Sequence, residues 1–291
     1  MQLHRVGWSE DNRVTPLLFI ISVATLSFIG GFVGSLLGLG GGIIVVPVLT
    51  LLMHIDIRLT IGASIVSVIA TSSGAAAAYV RDHLANIRVA MFLELGTASG
   101  AITGAYLAGI IQPRWLYILF GVVLSYSAVA MYRGRHTAKR HVVPGPLARR
   151  LRLASSYYDD AANGEIVYQP VRPGLGLVLM YIAGAASGLL GIGSGALKVP
   201  AMDLAMELPI KVSTATSNFM IGVTAAASAG IYFSRGQIDP FIAAPVAIGV
   251  LAGAFVGSHT LGRIDSHAIR AIFVVVLLIV AAEMLFKGVR W

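Results

Sequence analysis

Eight mostly apolar runs recur along the chain, at residues 16–37, 59–80, 90–111, 114–132, 174–190, 212–233, 241–262 and 268–286. An apolar helix of about 20 residues spans the hydrocarbon core of a bilayer, so each run is a candidate membrane crossing. Composition agrees. Of 291 residues, 57% are hydrophobic and 12% charged, and the mean hydropathy is +0.83, more apolar surface than a soluble domain of this size needs. The first run carries no A-x-A cleavage site and many runs follow it, so it reads as a retained helix and not a removed signal peptide. The chain has no cysteine, which excludes disulfides, thiolate metal sites and cysteine nucleophiles.

The halves match each other without a gap when the sequence is shifted by 153 residues, the step from 38 to 191. GLGGGIIVVP (38–47) falls on GIGSGALKVP (191–200), Tyr79 on Tyr232, and Met131 on Met284. Gly96, Gly100 and Gly104 fall on Gly249, Gly253 and Gly257. Internal repeats in a polytopic chain point to a transporter fold, with the substrate at the repeat interface. Each glycine cluster precedes a short apolar run, 43–53 and 196–206. Such a run covers about 16 Å as a helix, half the hydrocarbon core. The fold expected is an all-α polytopic membrane protein with two homologous repeats of about four transmembrane helices each. Glycine-rich broken or re-entrant half-helices lie near its midplane.

Net charge is +8, and Arg133, Arg135, Lys139, Arg140, Arg149, Arg150 and Arg152 fall between the halves. Basic loops stay cytoplasmic. No nucleic-acid motif accompanies them, so the partner is the lipid bilayer and not nucleic acid. Arg81, Arg88 and Arg235 join the same side if each half crosses four times. We therefore expect eight spans with the linker and both termini cytoplasmic. If the short runs complete a crossing of their own, the count per half is odd and the repeats are inverted. The chain divides into a tail (1–15), repeat 1 (16–133), a basic linker (134–172), repeat 2 (173–287) and a tail (288–291). Leu147, Leu151 and Leu153 among the linker arginines suit a short helix on the leaflet, though a solvated connector is the plainer expectation.

The glycines are of two kinds. Those spaced by four (Gly96, Gly100, Gly104; Gly249, Gly253, Gly257; Gly30, Gly34, Gly38) suit close helix packing. Those clustered at 38–42 and 191–195 end a helix. Irregular backbone at membrane depth survives only when buried in protein or lining a wet cavity. A half-helix starting there presents N–H groups and a positive dipole end to an anion. A tight helix–helix turn without a ligand is the alternative. GLGGG lacks the strand–turn–helix context of a dinucleotide fingerprint, and GLLGIGSGALK lacks the ending of a P-loop.

GLGGGIIVVP and GIGSGALKVP, one in each half of a small helical membrane protein with a basic central loop, resemble the TauE/SafE family of sulfite exporters. The resemblance runs from about Leu17 to Phe286. It implies an anion carrier in the bacterial inner membrane. It also implies that Gly38, Gly40, Gly41, Gly42, Pro47, Gly191, Gly193, Gly195 and Pro200 line the substrate path. The second motif departs from the first with Ser194 in place of Gly41's counterpart glycine and Lys198 where the first has Val45.

Lys198 follows the glycines by three positions, in a segment expected near mid-membrane. An intramembrane ionisable residue is a functional candidate by default, and this one would add a positive charge to an anion site. Snorkelling, or pairing with Asp203 or Glu207, is the structural alternative. Glu94, inside the run 90–111, is a candidate for carrying a coupling proton, although carboxylates near span ends commonly reach the headgroups. Ser194, Ser217 and Asn218 lie close to Lys198 in sequence and can replace the hydration of an oxyanion. The histidines show no metal-ligand spacing, and no catalytic constellation is present, so neither a metal, a cofactor nor an enzyme is expected.

The function expected is secondary transport of a small sulfur-containing anion such as sulfite, thiosulfate or an organosulfonate, as an exporter, with a proton or sodium as the coupling ion. An anion channel of the same fold and a non-transporting assembly subunit remain alternatives.

Overall fold

The computed structural model describes residues 16–37, 40–81, 84–133, 146–159, 164–260 and 266–290. Gly38, the tail 1–15, linker residues 134–145 and 160–163, and Trp291 lie outside the described residues. Helices dominate: α1 Pro16–Leu37, α2 Gly42–Pro47, α3 Ile57–Arg81, α4 Ile87–Ala108, α5 Pro113–Arg133, α6 Pro146–Arg150, α7 Pro173–Leu190, α8 Gly195–Pro200, α9 Ile210–Ser234, α10 Pro240–Thr260 and α11 Ser266–Arg290. The chain is an all-α membrane protein apart from a small antiparallel hairpin, β1 Ser155–Asp159 with β2 Gly164–Tyr168. Three of the described helices, α1, α7 and α10, are long and apolar enough by themselves to cross a membrane. Many large apolar side chains stay exposed around the bundle, among them Leu95, Ile248 and Phe255, as a lipid-facing surface requires.

Both short helices end in proline, which cannot supply the next N–H. The chain widens into a π turn at once, Val48–Leu52 after α2 and Ala201–Ala205 after α8. In the first of these Thr50 also donates its hydroxyl back to the Val46 carbonyl at 2.6 Å.

Glycine contacts give the helix directions. β-Carbons built on Gly96, Gly100 and Gly104 of α4 would collide with the carbonyls of Leu177, Tyr181 and Ala185 of α7, so these helices run the same way. Gly249, Gly253 and Gly257 of α10 stand likewise against Ala24, Phe28 and Phe32 of α1. α3 runs with α10, since Gly62 meets Gln237 while Thr71 and Val250 both close on Gly41. α9 runs with α4: Asn86 meets Thr216, Glu94 meets Thr224, and Arg235 donates to the Ala105 carbonyl at 2.7 Å. α5 opposes α11, with Gly121 against Leu285 and Gly288 against Ile118. Helices α1, α3, α5 and α10 therefore point one way and α4, α7, α9 and α11 the other. Gly31, not Gly30, meets α10, whereas Gly34 packs on the backbone of Gly40.

These directions correct the expected eight-span arrangement. α1 and α3 are parallel because residues 40–56 carry the chain back between them. The start of α1 and the end of α11 thus share one end of the bundle, and residues 146–172 occupy the other. The linker is also more than a solvated connector. Leu153, Tyr157 and Tyr168 are buried in the main core, and the Val171 N–H donates to the Met206 carbonyl at 3.0 Å.

A side chain at Gly100 has no room, whereas Gly230 faces open space. Gly100→Val should cost about 1–3 kcal/mol and lower the melting temperature in detergent. Gly230→Ala should leave it unchanged or raise it slightly, by relief of about 0.5–1 kcal/mol of backbone entropy.

Candidate functional site

The two glycine clusters meet halfway along α3 and α9. Gly40 and Gly193 carry φ of +71° and +74°, and both face Val68 of α3 and Ile221 of α9. A β-carbon on Gly42 would lie 2.9 Å from the Gly191 carbonyl oxygen. Ser64 of α3 donates to that same oxygen at 2.6 Å. α7 ends in a left-handed turn in which Gly191, Gly193 and Ser194 have φ of +66°, +74° and +59°. Ser194, buried and non-glycine, holds its strained conformation with a hydroxyl bond to the Gly193 carbonyl at 2.6 Å. Gly195 then opens α8. Neither Gly41 nor Ser194 gives the short helix it precedes a side-chain cap. Pro47 and Pro200 are buried at the last position of each short helix and shape it from the far end.

Polar side chains from α3 and α9 surround the break. Thr71 accepts the Gly41 N–H at 3.3 Å, and Asn218 donates its amide to the Ser35 carbonyl at 2.7 Å, on the last turn of α1. Ser72 donates to the Asn218 carbonyl at 2.6 Å. Ser217 is buried in the same stretch. The Asn218 Oδ1, Ser213 Oγ and Thr214 Oγ1 atoms are buried without a hydrogen-bond partner among the described residues. Buried polar atoms are normally paired, so the unpaired Asn218 Oδ1 marks a place for water or a polar ligand, while Ser213 and Thr214 lie nearer the linker end of α9, beyond the Thr216 contact with Asn86.

Lys198 does not pair with Asp203 or Glu207. Its ammonium, wholly buried, donates to Thr224 Oγ1 at 2.6 Å and stands 3.6 Å from Glu94 Oε2. Thr224 in turn donates to Glu94 Oε1 at 2.7 Å. The chain of contacts Lys198–Thr224–Glu94 joins α8 and α9 to α4, and Glu94 keeps 12% of its side chain exposed. Lys198 is therefore not an uncompensated positive charge. Thr224 is the residue the sequence reading missed. Its counterpart 153 positions earlier is Thr71, the residue that holds the first glycine break.

The model of the family described as sulfite exporter TauE/SafE matches residues 23–284. This chain belongs to that family. A probable membrane transporter of Bacillus subtilis, YunE, is 27% identical over 281 residues, covering 93% of this chain and 98% of its own. A probable membrane transporter of Xylella fastidiosa is 26% identical over 266 residues, covering 89% of this chain and 93% of its own. One from Methanocaldococcus jannaschii is 24% identical, with 93% and 95% coverage. No solved structure matches. Family and relatives make the TauE/SafE chain a multi-pass membrane transporter.

Removing one partner of a buried ion pair leaves the other charge unpaired, at a cost of about 3–5 kcal/mol. Lys198→Met and Glu94→Gln should each lower the melting temperature sharply. The double variant should recover most of the loss, and a melting-based double-mutant cycle measures the coupling.

Proposed function

We propose that this chain is a secondary transporter that exports a small sulfur-containing anion, such as sulfite, thiosulfate or an organosulfonate, across the cytoplasmic membrane. The observation that carries the reading is the meeting of the two glycine breaks, one from each half, beside the hydroxyls of Ser64, Thr71 and Ser72 and the unpaired Asn218 Oδ1. The starts of α2 and α8, which no side chain caps, turn their positive ends toward the break. Ser217 supplies a hydroxyl donor for the oxygens of the anion. Asn218 Oδ1, an acceptor, suits the proton of a singly protonated oxyanion. The sulfur chemistry comes from the family description.

The halves act as inverted repeats. Equivalent elements begin 153 residues apart, as Gly42 and Gly195 or Ile57 and Ile210 do, and run in opposite directions. That is the architecture of alternating access by rocking one half against the other. With the basic linker on the cytoplasmic side, the two termini face outward, in place of the cytoplasmic termini expected at first.

Glu94 carries the coupling proton. A proton there cancels its charge and leaves Lys198 as a buried cation beside the second break, so that anion and proton bind and cross together, with the outward gradient of the anion driving both. Sodium in the same place would be repelled by an ammonium 3.6 Å from the carboxylate.

Counterflow in proteoliposomes tests the transport reading. Vesicles loaded with unlabelled anion should take up labelled sulfite, thiosulfate or sulfoacetate saturably, but not acetate or chloride, and Gly42→Val should abolish the uptake. Glu94→Gln should retain counterflow while losing the proton movement that accompanies net flux. Exchange of no tested sulfur anion by folded protein would sink the substrate assignment.

The absence of native cysteine makes topology directly measurable. Single cysteines at Ser156 and at Val289 should react with impermeant maleimide from opposite sides of the membrane. Labelling of both from one side would restore the even-span arrangement.

A further inference from the structure

Away from the glycine breaks, a cavity of about 570 Å³ opens at the linker end of the bundle, lined by Arg88, Ala148, Arg149, Arg152, Gln169 and Pro170, with Ala154 at its edge. No carboxylate lines it among the described residues. The arginines come from two separate pieces of chain: Arg88 from the start of α4, and Arg149 and Arg152 from the turn that ends α6. All three side chains are exposed toward it, and Arg88 Nη1 donates to the Arg152 carbonyl at 3.0 Å.

The backbone under this cluster is strained in one informative place. The Leu153 N–H donates to the Ala148 carbonyl at 3.2 Å and the Arg152 N–H to the Arg149 carbonyl at 3.1 Å. This is the pairing of a Schellman turn, whose left-handed position is usually glycine. Arg152 occupies that position with φ +49°. An arginine held where glycine is unstrained points to a use for its side chain. The turn is also fixed in space. Asn86, which caps α4 by accepting the Val89 N–H, donates at 3.1 Å to both the Leu153 carbonyl and the Tyr168 hydroxyl. The amino end of α4, a helix of 22 residues, adds its positive potential to the three guanidinium groups.

We propose that this pocket binds a phosphoryl group, carried either by an anionic phospholipid headgroup or by a soluble phosphate ester. Guanidinium forks match phosphate oxygens in pairs, and three of them around one cavity more than balance the single charge of a diester headgroup or the near-double charge of a monoester, without a competing carboxylate. Basic pockets at the cytoplasmic end of a bundle lie at headgroup height. The proposal is independent of the transported substrate.

The test uses the purified full chain in detergent at physiological salt, titrated with short-chain phosphatidylglycerol and, separately, with glycerol 3-phosphate. Arg152→Gly is the informative variant, because glycine suits the turn. Its melting temperature should hold or rise, while binding weakens about tenfold or more, the scale of one charge-assisted hydrogen bond. Arg149→Gln should weaken binding comparably. Binding of phosphatidylglycerol alone assigns the site to lipid, and binding of glycerol 3-phosphate assigns it to a soluble ester. Binding of neither probe by the natural protein, or binding untouched by both substitutions, overturns the proposal.

Discussion

A helix interrupted inside a bilayer strands amide and carbonyl groups that only protein can satisfy. Everything else in this bundle is arranged around two such interruptions. α3 and α9 pass on either side of them and supply the missing partners: Ser64 for the Gly191 carbonyl, Thr71 for the Gly41 N–H, Asn218 for the Ser35 carbonyl. Tyr232 of α9 reaches across to the Gly188 carbonyl at 2.5 Å and so closes the last turn of α7. The glycine-spaced interfaces of α4 with α7 and of α1 with α10 then hold the outer helices close enough for these bonds to form.

The helices were legible because long apolar runs have few other fates, and the helices of the structure begin within a few residues of the runs. The glycine spacing in α4 and α10 foretold close backbone packing, whereas in α1 it is Gly31, off the expected stripe, that meets α10. What could not be read was direction. Whether α1 and α3 are parallel depends on how far the short segments carry the chain, and an eleven-residue run counts equally well as half a crossing or as none. Loop charges did not decide it either, because Arg58 and Arg114 fall opposite the basic linker in either arrangement. The hairpin of the linker was hidden by its polar residues, since Leu153, Tyr157 and Tyr168 find their burial only against the helix ends.

The candidate site was half legible. Lys198 and Glu94 each stood out as a charge in an apolar run, but the sequence offered Asp203 and Glu207 as nearer partners for the lysine. Side-chain reach decided otherwise: α8 packs on α9, and the long lysine side chain extends past it to Glu94 of α4. A sharper reading was available in the internal match. A shift of 153 residues pairs Lys198 with Val45, Glu94 with Ala247 and Thr224 with Thr71. Both charges depart from the symmetry, and the hydroxyl between them keeps it. Two departures that share one conserved-in-place neighbour belong together.

That departure has a consequence for energetics. If two halves were identical and opposed, the states open to either side would be degenerate, each the mirror of the other under exchange of halves. Neither would be preferred, however easily they interconverted. A resting bias can arise only from positions where the halves differ, and a buried ion pair strung between α4 and α8 is a large difference on the scale of a few kcal/mol that separates such states. Lys198 and Glu94 are two such positions, joined through a threonine that both halves keep.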